Sequence, residues 1–125
     1  MLIDAAFGVN SLKLECLSDK LVTTDAPESN LIYNLDIVNH AGDGALNKRC
    51  GAEFVEKRRH PPLGVNPSLH GNGRHLCSFD GDGDRIVFHY FASTALDSWR
   101  LLNGDKIACL IALYLREEME EFLGS

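Results

Sequence analysis

Between Phe79 and Ile86 the chain alternates Asp80, Asp82 and Asp84 with Gly81 and Gly83, then places Arg85. In extended backbone, side chains at i, i+2 and i+4 leave on one side. The glycines let the chain curl until those carboxylates converge. Three anions about 5 Å apart, at an effective dielectric of about 20, repel by roughly 3 kcal/mol per pair. A hard divalent cation removes that penalty, and carboxylate oxygens are the ligands Mg²⁺ prefers. The same residues also fit an acidic glycine turn held open in water, where the repulsion drops below about 1 kcal/mol per pair. Spacing alone leaves both readings standing. An EF-hand is excluded: counting from Asp80, Arg85 takes the sixth position, which needs glycine, and Phe91 the twelfth, which needs glutamate.

The flanking pattern supplies the elements that must hold this loop. Leu2–Ala5 reads as a short strand, followed by a turn at Gly8 and a helix over Ser11–Asp19 with Leu12, Leu14 and Leu17 as buried candidates. Thr23–Asn30 is loop-like in composition, and Leu31–Val38 alternates apolar residues with a strand's period. After a glycine loop at His40–Ala45 comes a short helix at Gly51–Arg58, ended before Pro61. Pro61–Gly73, with three prolines and three glycines, predicts a long surface loop. Strands follow at Leu76–Phe79, Ile86–Ala92 and Trp99–Leu102, with a connecting turn over Ala92–Ser98. Strand, helix, strand, helix, strand predicts an α/β fold, a layered domain on a mixed, largely parallel sheet. In such folds ligand loops lie at the carboxyl ends of strands, and the aspartate loop follows Phe79 directly.

Asp105 to about Phe122 reads as a helix in which Ile107–Leu115 is an unbroken run of nine apolar residues. A helix hydrophobic on every face belongs inside something larger; beside one small sheet it leaves an apolar face exposed and prone to association. Glu117, Glu118, Glu120 and Glu121 read as its solvated acidic tip.

Bulk properties narrow the partners. The 125 residues make room for one core, and a net charge of -6 offers no basic stripe for nucleic acid. Lys57-Arg58-Arg59-His60 reads as the solvated end of a helix, where cations suit the dipole. Cys16, Cys50, Cys77 and Cys109 form no Cys-x-x-Cys pair and sit among apolar neighbours, which predicts buried, reduced thiols and a cytoplasmic location. His70, His75 and Cys77 lack paired zinc spacing. Neither a signal peptide nor an apolar run of about 18 residues occurs, so no membrane partner is expected.

Ser78-Phe79-Asp80-Gly81-Asp82-Gly83-Asp84-Arg85 resembles the magnesium loop of the α-D-phosphohexomutase superfamily, whose members move a phosphoryl group between two hydroxyls of one hexose. Within it, the wider chain is most similar to the phosphoacetylglucosamine mutase family. Ile3–Val9, Leu46–Val55, Cys77–Tyr90 and Leu102–Ala108 carry that likeness in order. The resemblance implies interconversion of N-acetylglucosamine 6-phosphate and 1-phosphate for UDP-N-acetylglucosamine synthesis. Asp80, Asp82 and Asp84 would bind Mg²⁺ together with a phosphoserine from another domain, and Arg85 would contact phosphate. Arg85's alternative is a structural salt bridge to one of the aspartates.

Such mutases have four domains, and the chain departs from their pattern where three of them should contribute. It has no Thr-Ala-Ser-His-Asn-Pro type serine loop, hence no catalytic nucleophile, and no Arg-x-Ser-Gly-Thr phosphate clamp. His70-Gly71-Asn72-Gly73 only echoes the sugar-selecting loop: it lacks the glutamate and precedes the metal loop instead of following it. The resemblance therefore implies a fragment. Residues 1–103 correspond to the second domain, and residues 104–125 to an orphan first helix of the third, left to pack on missing domains or self-associate. Alone it would bind metal weakly and turn over nothing. A glucose or mannose phosphate mutase, or a non-catalytic binding module derived from one, are the alternatives. Asp4 and Asp105, also in matching segments, are expected to serve turns and caps.

Overall fold

In the computed structural model, which describes residues 1–22, 35–71 and 73–124, one sheet organises the chain. Its strands are β1 (Leu2–Asp4), β2 (Asp36–Val38), β3 (Leu76–Phe79), β4 (Ile86–Phe91) and β5 (Trp99–Leu102), in the order β2-β1-β3-β4-β5. β1 pairs parallel with both β2 and β3, whereas β3–β4 and β4–β5 are antiparallel. Only β4 therefore runs against the other strands, and the sheet is mixed and largely parallel, as its alternation with helices implies. The connections carry helices α1 (Asn10–Val22), α2 (Ala52–Arg58) and α3 (Pro67–His70), and α4 (Gly104–Gly124) closes the chain.

Register sorts the side chains by face. Leu2, Leu76, Val87, Phe91, Leu101 and the partly buried Trp99 lie on one face, packed by Val65 and by Ala52 and Val55 of α2. This is the closed core. Ile3, Cys77, Phe79, Ile86 and Phe88 look the other way, toward Leu14 and Leu17, across an open apolar cleft of about 300 Å³. A second cleft, about 490 Å³, separates Phe88, Tyr90 and Leu102 from Ile107, Leu110 and Ile111 of α4. Strand alternation is sound on both faces, but only one is tightly covered.

That asymmetry corrects several expectations. Leu12 and Leu17 are 58% and 48% exposed. Helix α1 is fastened by its first turn instead: the buried Ser11 hydroxyl donates to the Gly8 carbonyl (3.1 Å) and accepts from the Ala41 N–H (3.0 Å). Cys50 and Cys77 are buried, and desolvation first, then the Asp4 charge, pushes both thiols up to about 12. Cys16 and Cys109 are exposed, because they sit on α1 and on α4, which little covers. Pro61–Gly73 is not wholly a surface loop. It contains α3, capped by the Asn66 side chain accepting from the Leu69 N–H (3.0 Å), and it buries Pro61, Pro62, Val65 and Pro67. The loop expected over Thr23–Asn30 and the first half of the Leu31–Val38 strand lie outside the described residues.

Helix α4 buries none of its residues, and Leu110, Ile111, Leu113, Tyr114, Leu115, Met119 and Phe122 are exposed. The exposed apolar helix expected from the Ile107–Leu115 run is what the structure shows. Asp105 falls in its first turn, where negative charge suits the helix dipole. Among the described residues no helix is long and apolar enough to cross a membrane.

Candidate metal centre

β1 and β3 are neighbouring parallel strands; β1 runs on into the turn before α1, and β3 into the aspartate loop that doubles back as β4. Ligand crevices of α/β sheets lie at such carboxyl ends. Residues 5–10 after β1 and 80–85 after β3 form one, around a cavity of about 570 Å³ lined by Phe7, Val9, Leu46 and Asn47 along with Asp80, Asp82 and Arg85.

Asp80 folds the loop around its own carboxylate. Its Oδ1 accepts from the Gly83 N–H (3.1 Å) and the Arg85 N–H (3.2 Å), and its Oδ2 from Arg85 Nε (2.6 Å). It is almost fully buried, while Asp82 and Asp84 stand exposed beside it, and one carboxylate oxygen from each of the three lies within 4.8 Å of the others. The loop thus brings together the triplet that the alternating spacing pointed to. A carboxylate offers about four acceptor positions; N–H donors take three of those on Asp80, and Asp84 shares a further hydrogen bond with it. This donor set fits a hard, oxygen-seeking dication that keeps several waters, as Mg²⁺ does.

The charges bear on each other. A hydrogen bond shared with Asp80, then repulsion from Asp80 and Asp82, raises the Asp84 carboxyl above its ordinary value. Burial pushes the Asp80 carboxyl up, but bonds from Arg85 and Asp84 outweigh it and hold the group low. Arg85 Nη2 also reaches Glu53 Oε2 (3.4 Å) on α2. Glu53, bonded first to Lys57 and then to Arg85, is held below the usual carboxylate range. The side chain of Arg85 is 53% exposed at the cavity wall, with its Nε on Asp80.

The support beneath the loop was not legible from composition. Asp4, at the end of β1, is buried and accepts from the Ala6 N–H (3.1 Å), Asn39 Nδ2 (2.7 Å) and the Gly51 N–H (2.7 Å). It ties the ends of β1 and β2 to the start of α2, a wider duty than one turn. Burial raises its carboxyl, and the bonds from Asn39, Gly51, Ala6 and Ser78 oppose that. Ser78 continues a buried chain across the sheet. Trp99 Nε1 donates to His89 Nδ1 (3.2 Å), which leaves Nε2 to carry the proton toward Ser78 Oγ at 3.1 Å. Desolvation pushes the His89 ring down to about 4, so it stays neutral near pH 7. Ala6 and Phe7 both adopt left-handed backbone (φ 55° and 57°), a strained turn of the kind that collects at working sites. It is held by Phe7 N–H to the Asn39 carbonyl (2.7 Å) and Asn47 N–H to the Ala6 carbonyl (2.9 Å).

No protein-family model matches the chain. A phosphoacetylglucosamine mutase of Oryza sativa subsp. japonica is 36% identical to it over 124 residues, 99% of this chain and 20% of the relative. An N-acetylglucosamine-phosphate mutase of the α-D-phosphohexomutase superfamily, solved in its substrate complex, aligns with a TM-score of 0.74 at 33% identity, over 93% of this chain and 20% of that one. Aspergillus fumigatus N-acetylphosphoglucosamine mutase, solved with GlcNAc-6P and magnesium, aligns with a TM-score of 0.61 at 30% identity, over 86% and 20%. The chain spans about a fifth of the length of the relatives it matches. The resemblance read from the Ser78–Arg85 loop and its flanking segments is borne out, and the chain is similar to that fifth of a phosphoacetylglucosamine mutase.

Proposed function

We propose that the chain is a segment of a phosphoacetylglucosamine mutase and serves, within the longer protein, the interconversion of N-acetylglucosamine 6-phosphate and 1-phosphate on the route to UDP-N-acetylglucosamine. One observation carries the reading: Asp80, Asp82 and Asp84 converge at the β1/β3 crevice, in a fold shared with a relative solved with GlcNAc-6P and magnesium. In this reading the three carboxylates hold Mg²⁺. Bound there, the ion supplies Lewis-acid neutralisation of phosphoryl oxygens during transfer. Arg85, forked and always charged, swings from Asp80 to a phosphate; its exposure and its position at the cavity support that role. Asp80 keeps two backbone N–H bonds when Arg85 leaves, so the loop stays closed.

Nucleophile and general acid and base belong to other parts of the protein, as does the choice of sugar. The division into an α/β domain (1–103) and the first helix of a following domain (104–125) belongs to the same proposal. It is supported by an α4 none of whose residues is fully buried. Free cysteines, none in a disulfide among the described residues, fit a cytoplasmic setting.

The test is a mutase assay on two samples. The isolated chain is expected to give no turnover, because it offers no phosphoryl acceptor. The complete protein containing it is expected to convert N-acetylglucosamine 6-phosphate in the presence of Mg²⁺, faster than glucose or mannose 6-phosphate. Turnover by the chain alone contradicts the proposal. Preference for glucose or mannose phosphate moves the sugar assignment, and an inactive complete protein makes the chain a docking module whose exposed α4 is the contact.

A further inference from the structure

The segment that follows β1 grips the aspartate loop at three points. Asn10 Nδ2 donates to the Asp80 carbonyl (2.9 Å), and the Val9 N–H donates to the Gly81 carbonyl (3.3 Å). Gly8 lies so close that a Cβ on it would stand 2.3 Å from the Gly81 oxygen. Gly83 is left-handed (φ +82°), and a Cβ there would stand 2.3 Å from Asn10 Oδ1. Gly81 and Gly83 are the two neighbours of Asp82, so residues 8–10 bracket the backbone on both sides of that exposed carboxylate. Arg85 and Asp80 close the loop from within, and Arg85 also reaches Glu53 on α2; Asn10 ties the Asp80 backbone by its side chain to the start of α1.

We propose that Asn10 is a positioning residue for the metal loop, setting the spacing of Asp80 and Asp82 that lets the site take a small dication. This rests on the metal centre proposed above. The physical reason is the difference between ions. Mg²⁺ demands near-octahedral ligands at about 2.0–2.1 Å, whereas Ca²⁺ accepts a looser shell at about 2.3–2.6 Å. A loop cut free of its support can still close on the larger ion but no longer holds the tighter geometry. Outer partners of a metal site commonly change affinity by about 10–100-fold.

Asn10→Ala tests this in the whole 125-residue chain, by calorimetric titration with Mg²⁺ and, separately, Ca²⁺. Alanine is the better helix former at the start of α1, so the helix is not penalised. The expected result is Mg²⁺ affinity reduced about 10-fold and Ca²⁺ affinity reduced less than about 3-fold. Ser98→Ala is the control: it removes the bonds to Ser93 and Ala95 that close the β4–β5 turn without touching the loop, so it lowers the melting temperature and leaves the Mg²⁺/Ca²⁺ ratio alone. If Asn10→Ala does not fold, Asn10→Asp replaces it. That variant is isosteric and lacks the amide donor, and its added charge raises affinity for both ions alike while the ratio still falls. An unchanged ratio beside a wild type that binds Mg²⁺ overturns the role of Asn10 alone. A wild type that binds neither ion overturns the metal centre itself, and Asn10's role with it.

Discussion

Asp82→Asn is expected to weaken Mg²⁺ binding by about 100-fold or more, since carboxylate count and site rigidity shift such sites over orders of magnitude. Asp82 is the informative member of the triplet. Asp80 is committed to two backbone N–H groups and to Arg85, so replacing it would disturb the loop as well as the ligand set. Asp84 shares a hydrogen bond with Asp80. Among the described residues Asp82 has no hydrogen bond or ion pair, and it is exposed between two glycines. Asparagine keeps its shape and removes one anion from a crowded trio. The substitution should therefore separate two quantities: affinity falls steeply, while the metal-free chain melts at the same temperature or higher, because repulsion has been relieved. Titration calorimetry and thermal melts in a chelator read these two signs. Unchanged affinity would move the site away from this loop.

Asp4→Ala is expected to destabilise the chain severely. The carboxylate is buried, and its removal strands the N–H groups of Ala6 and Gly51 and one N–H of the Asn39 amide, whose other bond, to the Leu63 carbonyl, remains. Each buried donor left without a partner costs about 1–3 kcal/mol, so the total is roughly 3–6 kcal/mol even with partial relaxation. Whole domains are stable by only about 5–15 kcal/mol. Asp4→Asn is scarcely milder: one of its two positions becomes an amide donor facing either Gly51 N–H or the Ala6 and Asn39 donors. Urea unfolding followed by far-UV circular dichroism is the measurement. A loss below about 1 kcal/mol would mean that Asp4 is not the tie between β1, β2 and α2.

The elements legible in the sequence are those whose reason is local. Apolar, β-type residues from Leu76 to Phe79 and from Ile86 to Phe91 marked strands, the run from Ile107 to Leu115 marked a helix without cover, and the aspartate–glycine alternation marked the loop between β3 and β4. What stayed hidden depends on which distant residues the topology brings together. Asp4 meets Asn39 and Gly51, and Asn10 meets Asp80, across separations of 35, 47 and 70 residues. No spacing rule connects them. The burial expected of Leu12, Leu17, Cys16 and Cys109 came from apolar pattern alone, which shows that a face is apolar but not that anything covers it. Here one sheet face is packed by α2 and Val65, and the other opens into clefts beside α1 and α4. His89 is a further case. Histidine in a strand is chemically ambiguous by sequence, and only its place between Trp99 and Ser78 shows it to be a neutral buried link.

Everything chemical in this account depends on one dication held jointly by Asp80, Asp82 and Asp84. Crystals of the chain grown with Mn²⁺, whose anomalous scattering marks its own position, test that most directly. The account predicts one strong peak in the β1/β3 crevice, within bonding distance of an oxygen from each of the three carboxylates. A peak bound elsewhere, or none while the three side chains point apart into solvent, would contradict it.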